Sequence, residues 1–241
     1  MKNIFVWNKI STITVDVFVD NEQISTDYPI DKFTKYLPKW FHSLHPTEIV
    51  DDGMHKIKRP TFKRCDGFIS MFHNMFVLPM WADLCIIINE DNTYTWKYPA
   101  SVFNYGMSEH SVLQTGGAFL PLYHLKIHSP YMLRCRKDIS FYFSQAVYSH
   151  NHYENRLLMP SGAVSFKNQP ATHINCFFEV GKQYDFIAGQ PMMYITPMTE
   201  KRVVFKHHVL TTSEYEDLKK KHYPNKFNGY YKDLNKRRKG Q

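Results

Sequence analysis

Short apolar runs alternate with turn residues from Phe119 to Thr199, and this block holds most of the strand signal in the chain. The runs recur at a spacing of about ten residues, which is typical of a β-sandwich or a jelly roll. Corners such as Ser129-Pro130 and Gly189-Gln190-Pro191 separate them. The pattern therefore predicts an all-β fold, or a β-rich α+β fold, with short helices near the N-terminus.

The N-terminal part carries weaker patterns. Apolar and polar positions alternate from Thr12 to Val19, which predicts a half-buried strand. Residues 28–46 have apolar side chains at helical spacing, but Pro38 interrupts the segment, so we expect a short helix or two broken turns there. Residues 51–59 are polar and are expected to form a loop, and a short amphipathic helix is expected to begin near Cys65.

A hairpin and a long connection follow this region. Strands are predicted over Leu84–Ile88 and Thr93–Tyr98, because two β-rich runs flank four polar turn residues. Residues 99–118 contain few strand formers and are expected to form a long loop across one end of the sheets. Beyond Thr199 the pattern predicts a short helix that opens at Ser213.

Charge divides the chain into two parts. Residues 201–241 contain 12 Lys and Arg against 4 Asp and Glu, whereas the other 200 residues contain 18 of each sign. We therefore predict one β-sandwich or jelly-roll domain over residues 1–205 and a basic, aromatic extension over residues 206–241. Aromatic and basic residues alternate in that extension, as they do in single-strand nucleic-acid binders and in arms that dock onto protein partners.

The cysteines and the apolar runs indicate in which cellular compartment the protein is expected. The four cysteines are far apart and form no CxxC pair, so we expect free, buried thiols in a reducing compartment rather than a zinc or redox site. The first residues lack the apolar stretch of a signal peptide, and the longest apolar run is broken by Pro79 and Asp83. We expect neither secretion nor a membrane span. The cysteines are Cys65, Cys85, Cys135 and Cys176.

Histidines supply the strongest chemical signal. His150, His152 and Glu154 lie close together in SHNHYEN, and His173 begins a later strand, so these four residues are candidate ligands of a divalent transition metal. The spacing does not fit a facial triad, and SHNHYEN also reads as a polar surface loop. His124 and His128 are predicted to share one strand face, with Lys126 between them.

Signals for other enzyme classes are absent from the sequence. There is no GxSxG nucleophile motif, and Gly116-Gly117 lacks the Lys-Ser that a phosphate-binding loop needs. The adjacent carboxylates Asp51-Asp52 and Glu216-Asp217 do not favour a glycosidase. We therefore expect no cofactor, with a transition metal as the alternative.

Four phrases of the chain resemble an uncharacterised β-rich protein family encoded by large tailed bacteriophages of marine bacteria. They are KRCDGF, LKIHSPYMLRCRKDISFYFSQ, LLMPSGAV and INCFFEVGKQYDFIAGQPMMYITPMTEKR, within residues 60–205. The chain keeps the Pro130 corner and the Gly162 turn, but has Ser165-Phe166 where the family often carries an acidic residue and a threonine. The resemblance implies a viral origin and a β-rich fold, in the virion or the host cytoplasm.

Three functional hypotheses follow from the sequence. The first is a virion-associated structural or assembly protein without enzymatic activity, which binds other viral proteins or copies of itself and for which nucleic acid is a further possible partner of the basic extension. The second is a jelly-roll oxygenase or isomerase that uses the histidine cluster. The third is a module that binds carbohydrate or a host protein through surface aromatic residues such as Trp96, Tyr148 and Tyr153.

Overall fold

Strands dominate the molecule and its helices are short, which confirms the β-rich class that the sequence predicts. The computed structural model describes residues 12–51, 53–99, 105–149, 157–167 and 169–222. The first elements are β1 (Ile13–Val19), α1 (Glu22–Asp27), β2 (Asp31–Lys32), α2 (Lys39–Ser43), β3 (Thr47–Asp51), β4 (Lys56–Pro60), α3 (Asp66–Asn74), β5 (Phe76–Pro79), β6 (Leu84–Ile88), β7 (Tyr94–Lys97) and β8 (Met107–Glu109). The others are β9 (Tyr123–Ile127), β10 (Met132–Cys135), β11 (Phe141–Gln145), β12 (Gly162–Val164), β13 (Ile174–Phe178), β14 (Lys182–Phe186), β15 (Pro191–Pro197), β16 (Val203–Val209) and α4 (Thr212–His222).

The strand pairs of the body are nested inside one another. β5 pairs with β15, β6 with β14, β9 with β13 and β11 with β12, all antiparallel. Between the last two pairs, β10 bonds to the segment before β13, through Leu133 N to Pro170 O at 2.7 Å and Cys135 N to Phe166 O at 3.1 Å. β11 then returns to pair with β15. This is the winding of a jelly roll, in which a long hairpin folds over itself.

β1 is not part of this nested series of strand pairs. It lies between β10, which is antiparallel to it, and β16, which is parallel. Ile13, Val15 and Val17 point into the core, as the alternating pattern predicts. β16 was not predicted, because its sequence VVFKHHV is interrupted by polar residues. The boundary between residues 205 and 206 falls inside β16.

One other sequence prediction needs correction. Residues 51–59 were expected to be a loop, yet β3 and β4 form an antiparallel hairpin there, since Ile57 and the cross-strand pairs supply enough strand character. Residues 28–46 contain a short 3-10 turn at Phe33–Lys35 before Pro38 and the short helix α2 after it, which agrees with the expected broken turns. The predicted strands of the β6–β7 hairpin and the predicted α3 and α4 are confirmed.

The last helix is fixed to the body at both its start and its first turn. Thr211 N donates to Glu214 Oε2 at 2.9 Å and Glu214 N donates to Thr211 Oγ1 at 3.3 Å, which is a capping box. Tyr215 is buried and its hydroxyl donates to the carbonyl of Pro130 at 2.7 Å. α4 therefore covers the corner that joins β9 to β10. None of the helices within the described residues has the length and apolar character needed to cross a membrane.

Candidate functional site

The predicted metal ligands divide into two groups. His150, His152 and Glu154 lie outside the described residues, so a metal on that loop stays a prediction. His173 lies at the start of β13, in partly buried surroundings. Within the described ranges, no three side chains of His, Cys, Asp or Glu stand together as metal ligands.

His173 is paired with His128 from the neighbouring strand. Ile174 and Ile127 are register partners, so the preceding and following residues, His173 and His128, are also opposite each other. Their rings are in contact in a tilted arrangement, with centroids 4.6 Å apart and planes at 31°. On its other side, the Nε2 atom of His128 is 3.0 Å from the hydroxyl of Ser108. The pair therefore holds a fixed position on the sheet.

This pair belongs to a larger set, which we call the histidine face. It is the side of the β8–β9–β13 sheet that points away from the core, since the alternate residues Leu125 and Ile127 are fully buried. His110 and His124 form a second pair, with ring centroids 4.6 Å apart. Among the described strand residues on this face, none is acidic. The histidine face consists of Ser108, His110, His124, Lys126, His128, His173, Asn175 and Phe177.

Sequence reasoning identified only part of the histidine face. The shared side of His124, Lys126 and His128 follows from the period of a strand. The contribution of β8 could not be predicted, because three residues between two glycine-containing loops give no strand signal. The pairing of His173 with His128 depends on a register that only the folded sheet defines.

Burial keeps the imidazoles of this face neutral. Burial is the largest cause that lowers the pKa of His173 to about 3, and the nearby His128, Lys126 and Lys219 make smaller contributions in the same direction. Burial also lowers the pKa of His128, with smaller contributions from the same two lysines. The pKa of the Lys126 ammonium is lowered by burial as well. Within the described residues no ion pair involves Lys126, and its register partners Ser108 and Asn175 are neutral.

A cavity of about 340 Å³ lies between the histidine pair and α4. Three tyrosine rings and a methionine form most of its wall, and the tyrosine hydroxyls are already engaged elsewhere. Tyr105 donates to Asp20, Tyr131 to the carbonyl of Tyr28 and Tyr215 to that of Pro130. The rings therefore present carbon surface to the cavity. We call this cavity the α4 pocket; its lining is Tyr105, His128, Ser129, Tyr131, Met132, Ala171, His173, Tyr215, Glu216, Lys219 and Lys220.

Charged groups of α4 form the rim of the α4 pocket. Lys219 Nζ is 2.8 Å from Glu216 Oε1 and 5.4 Å from the centroid of the Tyr215 ring. Lys220 Nζ is 3.8 Å from Asp217 Oδ1, a carboxylate that does not line the cavity. The lining thus holds two ammonium groups and one carboxylate.

A second unusual surface is the exposed hairpin, which consists of β3, β4 and the turn between them. Within the described ranges its sheet has two strands. Ile49 is 72% exposed, Met54 at the turn is 88% exposed and Ile57 is 40% exposed. Apolar side chains in this hairpin therefore face solvent instead of the core.

The outer edge of β3 is the open edge of this hairpin. Thr61 N donates to Pro46 O at 3.1 Å, so residues 46 and 61 are a hydrogen-bonded pair of the antiparallel ladder. Pairs alternate along the ladder, and the backbone groups of Thr47, Ile49 and Asp51 therefore point away from β4. The Thr47 groups are met by the His45 ring, at 2.8 and 3.3 Å. Those of Ile49 point to solvent.

Two expectations about individual side chains are corrected by the structure. Tyr148 was proposed as a surface aromatic residue, but it packs among Phe68, Phe72 and Tyr194 because α3 covers that side of the sheet. Trp96 is partly buried against the core, and Tyr153 lies outside the described residues. The cysteines are free thiols, as expected, but Cys65 is exposed because it precedes the solvent side of α3.

No family model, no curated protein and no solved structure matches the chain. Within the described part of the chain, the exposed hairpin and the α4 pocket both carry chemistry that the fold itself does not require. The hairpin leaves apolar groups and a strand edge in solvent. The pocket leaves cations and aromatic walls around a cavity.

Proposed function

We propose that the protein is an assembly component without enzymatic activity, which forms a homodimer through the exposed hairpin. In this proposal β3 pairs with β3 of a second copy, antiparallel across a two-fold axis, and the two hairpins form one four-stranded sheet. The observation that carries the proposal is the open edge of β3 beside the exposed side chain of Ile49. The resemblance to phage proteins adds a virion as the setting.

Charge and proline content support β3, rather than β4, as the pairing edge. β4 reads KIKRP, and lysine and proline on an edge strand hinder pairing with another strand. Pairing β4 with β4 of a second copy would also bring Lys58 and its neighbours together as like charges. β3 reads TEIVD and has neither proline nor a basic residue.

The two-fold register places complementary groups opposite each other. If Ile49 is opposite Ile49 of the partner copy, Glu48 is opposite Val50 and Thr47 is opposite Asp51. No like-charge pair results. The backbone groups of Ile49 then exchange two hydrogen bonds, and its side chain, which is 72% exposed, packs against that of the partner copy. Complete burial of an isoleucine contributes about 1.5 to 3 kcal/mol, which is the upper bound for each copy.

Strand number gives a further reason for pairing. A two-stranded hairpin is only marginally stable by itself in water, whereas sheets of three or more strands with an apolar face are stable. The described contacts of β3 and β4 are chiefly with each other. Association of two hairpins would convert two marginal sheets into one of four strands.

Proline substitutions test the pairing edge. The N–H of Ile49 points away from β4, so Ile49→Pro leaves the hairpin ladder intact and blocks pairing with a second copy. Lys58→Pro is the matched control, because Lys58 is the register partner of Ile49 and its N–H points outward from the opposite edge. Light scattering of the protein as it elutes from a size-exclusion column should give the mass of a dimer for the wild type and for Lys58→Pro, and the mass of a monomer for Ile49→Pro.

Two results would count against this arrangement. A wild-type protein that is monomeric at all accessible concentrations would contradict the proposed homodimer. A mass that keeps growing with concentration indicates head-to-tail pairing of β3 with β4, which is an open assembly rather than a closed pair.

The virion setting has its own test. Mass spectrometry of purified particles of the virus that encodes the chain should detect it as a particle component. Detection only in infected-cell lysate would oppose a virion role while leaving the dimer untouched. Binding of nucleic acid by residues 223–241 stays a separate prediction, since these residues lie outside the described ranges.

A further inference from the structure

We propose that the α4 pocket binds a small aromatic carboxylate, with its ring between the tyrosine walls and its carboxylate beside the His128–His173 pair. This inference is independent of the dimer, because none of the pocket-lining residues belongs to the exposed hairpin. It rests on the shape and lining of the cavity, on the cations around the histidine pair, and on the lack of acidic strand residues there.

The walls favour a flat apolar body. Tyr105, Tyr131 and Tyr215 are buried, and each hydroxyl donates to another part of the chain. Their rings are therefore held in place before a ligand arrives, which lowers the entropic cost of binding. Aromatic rings pack against one another edge to face or offset, so an aromatic ligand fits walls of this kind. The cavity of about 340 Å³ is large enough for a small molecule.

The floor and rim favour an anionic group. Lys126 from β9 and Lys219 from α4 both lie near enough to His173 to act on its charge. Glu216 is the carboxylate in the lining, and it is already bonded to Lys219. A carboxylate placed at the histidine pair would meet two imidazoles and the field of two ammonium groups. Such charge-assisted hydrogen bonds are stronger than neutral ones.

A cation or a neutral ligand fits this site less well. Lys126 is partly removed from water and faces neutral groups, so a bound cation would add to an uncompensated charge. A neutral ligand would leave that charge without a partner. The site therefore discriminates for an acid over the matching alcohol.

Calorimetry with defined probes tests the proposal. Benzoate, salicylate and indole-3-acetate are the acids, benzyl alcohol is the uncharged match of benzoate, and inorganic phosphate is an anion without a ring. We expect at least one acid to bind about tenfold more tightly than benzyl alcohol and phosphate.

Substitutions at the rim separate recognition from folding. Lys219→Met removes the charge but keeps the aliphatic stem, and it should weaken binding of the acid about tenfold without changing the response to benzyl alcohol. Lys219→Arg should restore binding, and Lys182→Met on the exposed strand β14 should have no effect. A thermal melt of each variant shows whether it is folded.

Three outcomes would overturn the proposal. The first is the absence of binding heat in titrations with all three acids at pH 5.5. The second is equal binding of benzoate and benzyl alcohol, which excludes recognition of the carboxylate. The third is phosphate binding as strong as that of any acid, which excludes recognition of the ring.

Discussion

The exposed hairpin and the α4 pocket are both built from short segments of sheet, yet they expose opposite kinds of chemistry. In the hairpin, apolar side chains such as Ile49 and Met54 lie in water, and the strands pair chiefly with each other. In the pocket and on the histidine face beside it, ionisable groups such as His173 and Lys126 are partly removed from water, on a sheet whose other side is core. Each surface therefore carries residues that folding alone does not favour.

The difference concerns what each surface lacks. An exposed strand edge with apolar side chains lacks a second apolar surface and a backbone partner. A desolvated lysine among neutral imidazoles lacks an anion. We infer a protein partner for the first surface and a small acid for the second.

The largest expected effect is the loss of stability when a side chain of the pocket wall is truncated. Tyr131→Ala removes a fully buried ring and its hydrogen bond to the Tyr28 carbonyl. We expect a loss of about 3 to 5 kcal/mol in the free energy of unfolding. Tyr142→Ala is the matched control, because this tyrosine is 43% exposed on β11, and it should change the unfolding free energy by at most about 0.5 kcal/mol. Urea denaturation compares the two, and equal losses would contradict the assignment of a rigid wall.

The second expected effect is a pH dependence of stability that involves His173. Its pKa in the folded protein is lowered to about 3, below the ordinary value of about 6.5. Between these values the unfolded chain binds a proton that the folded protein does not, so stability is lost as the pH falls below about 6.5. The slope from this residue approaches about 1.4 kcal/mol per pH unit.

Replacement of the histidine isolates its contribution to that slope. His173→Asn should flatten the dependence of the unfolding free energy on pH between about pH 6 and about pH 4. Part of the slope should remain, because the pKa values of His110, His124, His128 and His207 are also lowered by burial. An unchanged slope in the variant would show that His173 is not held neutral by the fold.

The third effect concerns the cap of α4, which closes the pocket. Thr211→Ala removes the hydroxyl that accepts from the Glu214 amide, and the loss should be about 1 kcal/mol. Thr212→Ala, one residue further into the helix, is the control and should have a smaller effect. Thermal unfolding measures both. A larger loss for Thr212→Ala would exclude the capping box.

The smallest effect should be found in the hairpin. Ile49→Ala removes a side chain that is 72% exposed, so the unfolding free energy of the dilute protein should change by at most about 0.5 kcal/mol. Denaturation at low protein concentration measures this term without association. A loss as large as that of Tyr131→Ala would mean that Ile49 is covered by its own chain, and the comparison between the two surfaces would fail.

Sequence patterns predicted the strands whose apolar residues face the core, because burial of one side of a strand makes apolar and polar residues alternate along the chain. β1 and the strands of the β6–β7 hairpin are examples. The same reasoning missed β3, β4 and β16, where polar residues interrupt the pattern and the strand character comes from pairing. Pairing is a tertiary property, and residues far apart in the chain supply it.

The candidate site was predictable only as far as one strand reaches. The period of β9 aligned His124, Lys126 and His128, and His173 was singled out as a possible ligand at a strand start. No local signal reports that His173 is opposite His128, or that α4 closes a cavity over them. The register of β9 and β13 and the packing of α4 are therefore known only from the folded structure.

Amide hydrogen exchange at β3, measured at two protein concentrations, tests the pairing of hairpins most directly. The Ile49 amide points away from β4, so it has no partner within its own hairpin. We predict that it exchanges quickly in dilute protein and slowly in concentrated protein, whereas the amide of Lys58 on the opposite edge exchanges quickly in both. Fast exchange of the Ile49 amide at every concentration would contradict the proposed dimer.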